Sequence, residues 1–311
     1  MIAAVQCFPA HKYASMLLGL ALVSQGAIAQ DDETFSLSGL VELGAEYNGN
    51  LSITELEIAS GESDVAGIAE AGLDLSWQPA ERWRFEGGYS YTGSRYQDID
   101  NFDLDLHLLY GDISHEFNFI TLGANHYFAD ANLGGDGFLT LNQSSLYAGK
   151  LFGERWFLRA ALNFIDKEFD TFTDRDAENE GISLDAFWFF NEGRSSVSLG
   201  YGAEEEDTRA NRFDYDGDTL RLRFNNRFTL LTREARLQLG YRWQDRDYLS
   251  VTPAIGQRRD DRHRIADAEL ELSWFNNFAV IGRLEHGEYA SNLPSADYSE
   301  TRLSLAARLS F

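Results

Sequence analysis

Ala69-Glu70-Ala71-Gly72-Leu73-Asp74-Leu75-Ser76-Trp77 is the stretch that decides the fold. Its odd positions are apolar and its even positions are charged or small. Successive side chains of a strand point to opposite faces, so this run builds one apolar face and one polar face. The same period recurs around it. Phe35, Leu37, Val41, Leu43 and Ala45 alternate with Ser36, Ser38, Glu42, Gly44 and Glu46. Trp83, Phe85, Tyr89 and Tyr91 alternate with Arg84, Glu86, Gly88 and Ser90, and Leu104, Leu106, Leu108 and Tyr110 with Asp103, Asp105 and His107. Further segments centre on Gly123, Ser145, Ala160, Ala186, Leu199, Leu222, Leu239, Leu270, Gly282 and Leu305, making fourteen candidate strands in all.

A soluble two-sheet sandwich also alternates, with its apolar face turned to the core. Three features favour a membrane barrel instead. Connections after even-numbered strands are short, as at Gly153-Glu154 and Asn276-Asn277, whereas those after odd-numbered strands read as long and acidic, as at Tyr47 to Asp64, Asp166 to Glu180, Glu204 to Asp218 and Asp245 to Asp261. Such asymmetry is the habit of barrels with periplasmic turns and outer loops. Aromatic residues gather at strand ends, among them Trp77, Trp83, Trp156, Trp188, Tyr241, Trp243 and Trp274, where headgroup-level girdles are expected. The chain closes on Ser304-Leu305-Ala306-Ala307-Arg308-Leu309-Ser310-Phe311, and Leu309 with the terminal Phe311 resembles the assembly signal of bacterial outer-membrane barrels, with Ala306 where that signal usually has glycine. The expected fold is all-β: a transmembrane antiparallel up-and-down β-barrel of about fourteen strands.

The bulk composition alone points elsewhere. The 311 residues carry 26 Lys+Arg against 50 Asp+Glu, for a net charge of −24, and mean hydropathy is −0.34. A mean over two opposite faces hides a membrane-facing side. The acidic balance does exclude a nucleic-acid partner, whose phosphates it would repel.

The amino terminus reads as an export signal. Lys12 precedes the apolar run Met16 to Val23, and small residues end it at Ala27-Ile28-Ala29. The expected division is a signal peptide at 1–29 and a single barrel domain at 30–311. Cleavage removes Lys12 and Cys7, the sole cysteine, leaving a charge of 25 − 50 = −25 and a chain without disulfides.

If the apolar faces meet lipid, the others line a lumen. The expected basic lining is Arg221, Arg223, Arg236, Arg242, Arg283, Arg302 and Arg308, and the expected acidic lining is Glu42, Glu70, Asp74, Asp103, Asp105, Asp267, Glu269 and Glu271. Opposed walls can set up a transverse field that selects solutes, or can pair and fill the barrel. The chain has three lysines, Lys12, Lys150 and Lys167, so its cations are overwhelmingly arginine, whose planar fork suits fixed carboxylate pairs. Asp103, Asp105 and His107 sit two residues apart and could in principle bind a metal or relay protons, but such polar stripes recur on most strands; no catalytic residue, metal or cofactor is expected. Asp214-Tyr215-Asp216-Gly217-Asp218 opens like a calcium loop yet has Asn225 at the twelfth position in place of a bidentate Glu.

Glu46-Tyr47-Asn48-Gly49-Asn50-Leu51-Ser52 after the first strand, with Gly61-Glu62-Ser63-Asp64 before the second, resembles the start of barrels in the surface lipoprotein assembly modifier group. The resemblance implies a fourteen-stranded barrel and a role in displaying surface proteins. Those modifiers carry a periplasmic helical-repeat domain, for which the sequence leaves no room between the cleavage site and the first strand. The function read first is therefore a porin-like channel for small polar or charged solutes in the Gram-negative outer membrane. The second reading is a modifier-like barrel acting through an envelope protein, and the distant third is an outer-membrane hydrolase. Expected partners are outer-membrane lipid, lipopolysaccharide (with loose divalent-cation bridging to the acidic loops) and the barrel assembly machinery.

Overall fold

The computed structural model describes residues 34–311; the expected signal peptide and Cys7 lie outside them. Fourteen antiparallel strands close into one barrel. They are β1 (Phe35–Asn48), β4 (Asp64–Ala80), β5 (Trp83–Tyr96), β6 (Leu104–Glu116), β7 (Thr121–Leu133), β8 (Asp136–Phe152) and β9 (Trp156–Phe169), then β10 (Ala177–Phe190), β11 (Ser195–Thr208), β12 (Tyr215–Leu230), β13 (Arg233–Thr252), β14 (Gln257–Phe275), β15 (Phe278–Ser291) and β16 (Tyr298–Ser310). Each strand pairs with its neighbours in sequence. The exception is the closing seam, where β1 meets β16 from Leu40↔Ser310 to Asn48↔Arg302. A two-stranded hairpin, β2 (Ser52–Ile53) and β3 (Ile58–Ala59), stands apart from the wall, in the connection from β1 to β4.

Closure is what the sequence period requires of a lipid-facing sheet, because hydrocarbon offers no partner for an edge of free N–H and C=O groups. Directly paired residues share a face, so the register traces one apolar belt around the outside. Leu43 pairs with Ala307 and Ala69, and Leu222 with Leu199 and Tyr241. Leu43, Leu109, Leu162, Leu222 and Leu305 are all exposed on that belt. Trp77, Trp83, Trp156, Trp188 and Trp274 mark the short-turn rim, with Trp156 stacked on Trp188 at 5.9 Å.

The expected loop lengths need correction. Strands of 13 to 20 residues exceed the roughly 9–11 needed to cross a bilayer. The surplus stands beyond the apolar belt at the end opposite the tryptophan rim. Most of Asp166 to Glu180, Glu204 to Asp218 and Asp245 to Asp261 is therefore strand, joined by tight 3-10 turns such as Thr173–Arg175 and Asn211–Phe213. Acidic residues misled the reading because they sit on the outer face of these extensions, where water and not lipid surrounds them. The supposed calcium loop is resolved the same way. Asp214 accepts bonds from the Thr208 backbone and hydroxyl, and Asp216 and Asp218 then share the outer face of β12, so the run does not converge.

Among the described residues only the β1–β4 connection is a true long loop, and it folds inward. The seam beneath it is close-packed. An ideal Cβ on Gly44 would stand 2.5 Å from the Leu305 carbonyl oxygen and 2.7 Å from the Ala306 side chain. Gly44→Ala should push β1 off β16 and cost about 1–3 kcal/mol, lowering the temperature at which the folded barrel loses its compact gel mobility. Gly282→Ala, on an open outer position, should leave that temperature unchanged.

Candidate functional site

The register puts Arg221, Arg223, Arg236, Arg242, Arg283, Arg302 and Arg308 on the inner face, together with Glu42, Glu70, Asp74, Asp267, Glu269 and Glu271. Their walls touch. Glu42, almost fully buried on β1, receives Arg283 Nη1 at 2.5 Å and Arg308 Nη2 at 2.8 Å. Arg308 reaches on to Glu271 at 3.1 Å, and Arg283 to Glu269 at 2.7 Å. Arg236 lies 3.2 Å from Glu271 and 3.6 Å from Glu269. Arg223 meets Asp267 at 3.4 Å, and Arg221 meets Asp185 at 3.6 Å. The result is a belt of alternating charge across β10 and β12 to β16, closing onto β1. Arg302 sits nearer the mouth, held by Glu300 at 2.6 Å and Glu285 at 3.3 Å. Opposite this belt tyrosines and acids dominate, with Arg159 stacked 4.5 Å from the Tyr147 ring: Tyr110 donates to Asp74 at 3.0 Å and Tyr147 to Asp112 at 2.9 Å.

Asp103 and Asp105 do not line the lumen. On β6 it is Leu104, Leu108 and Tyr110 that are buried inside, while Asp105, His107 and Leu109 share the outer face. Asp105 there accepts Tyr91 at 2.6 Å and, on both oxygens, Nη2 of Arg95 at 2.7 and 2.8 Å, and His107 bonds Tyr89 at 2.7 Å. Asp103 precedes the strand and accepts the Tyr96 N–H. The apolar side of β6 was assigned to lipid because that is the rule elsewhere. Here it faces an apolar guest within the barrel.

That guest is the β2–β3 hairpin. Asn48 turns it inward, accepting the Asn50 N–H, while Ser52 and Asn48 both donate to Glu300 at 2.7 Å. Leu56 enters a bowl formed by Leu104, Leu108, Ala129, Phe138, Leu141, Ile165 and Phe169. Burying a leucine this way contributes about 1.5–3 kcal/mol. On its other side the tip is ionic. Glu57 receives Arg259 Nη1 at 2.6 Å, Arg175 Nη2 at 3.2 Å, Arg246 Nη1 at 3.4 Å and the hydroxyl of Tyr248. Glu55 faces Lys167 at 3.9 Å, and Lys167 also bonds Glu206 at 2.6 Å. Arg175 further donates to the carbonyls of Glu55 and Leu56. Two cavities flanking the hairpin have about 20 Å³ each, room for water and not for a solute.

Burial by itself would raise both hairpin carboxyls. At Glu57 the guanidiniums of Arg175, Arg259 and Arg246, with the Tyr248 hydroxyl, outweigh it and hold the group well below the usual glutamate range. At Glu55 burial prevails over Lys167 and Arg246, and the group is raised. None of Glu57, Arg175, Arg246, Arg259, Lys167 or Glu206 was expected as a site residue. Lys167 carried a usable signal, a lysine at an inward position among described residues whose other inward cations are arginine.

No protein-family model matches the chain, and no curated protein matches it in sequence. Solved structures share its fold. OmpT of Vibrio cholerae, expressed in the outer membrane, is 12% identical with a TM-score of 0.53, over 92% of this chain and 100% of that one. An anion-selective porin from Comamonas acidovorans is 10% identical with a TM-score of 0.52, over 89% and 99%. The barrel is thus of the outer-membrane type. These likenesses bear out the outer-membrane barrel architecture and do not extend to the assembly-modifier group.

Two outcomes follow from these pairings. Glu42→Gln should leave Arg283 and Arg308 without their shared charge and lower barrel stability by about 3 kcal/mol, read from urea unfolding in micelles. Glu57 has a depressed value, so its contribution is present above the ordinary glutamate pKa and is lost only as pH falls through the depressed one. The hairpin of the native chain should therefore stay protected from pepsin at pH 4, with cleavage within 49–63 mapped by mass spectrometry, while Glu57→Gln should be cut there.

Proposed function

We propose that the chain is a porin-like channel of the bacterial outer membrane for small polar or charged solutes, with its mouth shut in this conformation by the β2–β3 hairpin. One observation carries the reading: a lumen lined by arginines and carboxylates, stoppered by a short hairpin held largely through individual polar contacts. A barrel needed only as an anchor has no use for a charged bore, whereas charged rings and opposed charges are how pores select. The bore is not wholly filled; Arg221 keeps 34% of its side chain accessible. The fold likeness to an anion-selective porin supports the class, and the outward leucine belt supports lodging among outer-membrane lipids, with lipopolysaccharide and the barrel assembly machinery as partners.

The reading is non-enzymatic. Asp105 and His107 face outward, engaged by Tyr91, Arg95 and Tyr89. Assembly-modifier activity is the less favoured proposal, since a hairpin that leaves water-sized gaps suits small solutes better than a translocating chain.

In planar bilayers the native protein should show low, intermittent conductance. Replacing residues 52–59 with a short Gly-Ser linker should raise it at least fivefold. Arg221→Ala in that background should shift the reversal potential toward cation preference. Absence of conductance in the hairpin-deleted barrel refutes the channel.

A further inference from the structure

Glu57 is bound as a receptor binds a ligand. Two donors meet each carboxylate oxygen: Arg259 and Arg175 on Oε2, Arg246 and Tyr248 on Oε1. They come from three separate parts of the wall, the turn Thr173–Arg175, β13 and β14. Each guanidinium also packs on an aromatic ring outside the hairpin. The Arg175 guanidinium lies 4.1 Å from the ring centroid of Phe213, that of Arg246 4.7 Å from Tyr215, and that of Arg259 4.6 Å from Tyr248. Asp261 takes the remaining fork of Arg259 at 2.8 and 2.5 Å. Stacked guanidiniums with fixed planes form a site prepared for a planar anion.

The charges tell the same story. Lys167, Arg175, Arg246 and Arg259 are four cations around the hairpin tip. Glu206 and Asp261, on the wall, answer two of them. On the hairpin, Glu57 answers Arg175 and Arg246 and shares Arg259, while Glu55 adds a second carboxylate at Lys167. Withdrawing the hairpin would uncover a cationic cage beside the apolar bowl that now holds Leu56. Glu57 is delivered on left-handed backbone, φ 56°, a conformation that disfavours a non-glycine residue. The contacts its carboxylate makes hold it there.

We propose that the cage of Arg175, Arg246, Arg259 and Tyr248 is a binding site for a solute carboxylate bearing an apolar body, and that Glu57 with Leu56 occupies it as an internal substitute for that solute. A solute of this class competes with the hairpin, releases it and opens the mouth to its own passage. The opening half of this inference rests on the channel reading; the binding half does not.

The test pairs hexanoate with hexanamide, which has the same length and no charge. Binding is measured by calorimetry on the full barrel in detergent, with folding checked by heat-shifted gel mobility. Glu57→Gln should bind hexanoate at least tenfold more tightly than the native chain, because the internal competitor is weakened, and should bind hexanamide poorly. Adding Arg175→Gln, a change confined to a surface turn, should reverse the gain at least tenfold; Arg259→Gln serves as the second variant where it folds. In bilayers hexanoate should raise native conductance several-fold and hexanamide should not. Equal binding of the two probes by Glu57→Gln overturns the carboxylate site while leaving the channel standing. Discriminating binding with no conductance in any variant supports the site and overturns the channel.

Discussion

The pairing of β1 with β16 is the constraint on which the rest depends. Once the ladder from Leu40↔Ser310 to Asn48↔Arg302 is made, no strand has a free edge, and the outside can be uniformly apolar. Charged side chains then go to the lumen, to the short turns or to the strand extensions beyond the belt. The seam also brings Glu42 of the first strand to Arg308 of the last and sets Glu300 beneath the hairpin. The belt of ion pairs and the stopper are both consequences of that closure.

The charge of −24 is accommodated in two different ways. In the bore, carboxylates are interleaved with arginines at contact distance. On the outer face of the extensions, acids lie directly across from acids, as at Asp166↔Glu178↔Asp207 and Glu205↔Asp216↔Asp247. Like charges side by side weaken a ladder, and only water and its ions can screen them. The apolar belt thus begins where those pairs end.

Fold class was legible because period two is a local property, written in runs such as Ala69 to Trp77. So was the inward set of arginines, which follows from the same alternation. What escaped notice lay where alternation changes meaning. Leu104 and Leu108 are apolar like their neighbours but turn inward, and nothing in β6 alone announces a guest. Acidic strand extensions mimic loops, because strand propensity and solvent exposure compete there. The cage around Glu57 was invisible for another reason: its members lie about 120 to 200 residues from Glu57 along the chain, and no spacing pattern spans that distance. The terminal Leu309 and Phe311 were noted, and they take up the seam, with the Phe311 backbone exchanging hydrogen bonds with Gly39 at 2.7 and 2.9 Å.

The hairpin also has a position in time. It lies between the first two strands, yet Arg175, Arg246, Arg259 and Glu300 arrive much later along the chain. Contacts of such long sequence separation cannot form until the intervening chain is placed. An unfinished sheet therefore has nothing to hold Glu57, and the loop stays loose until the last strand docks. The stopper seats only in a completed cylinder, so a sealed mouth is at the same time a certificate of correct assembly.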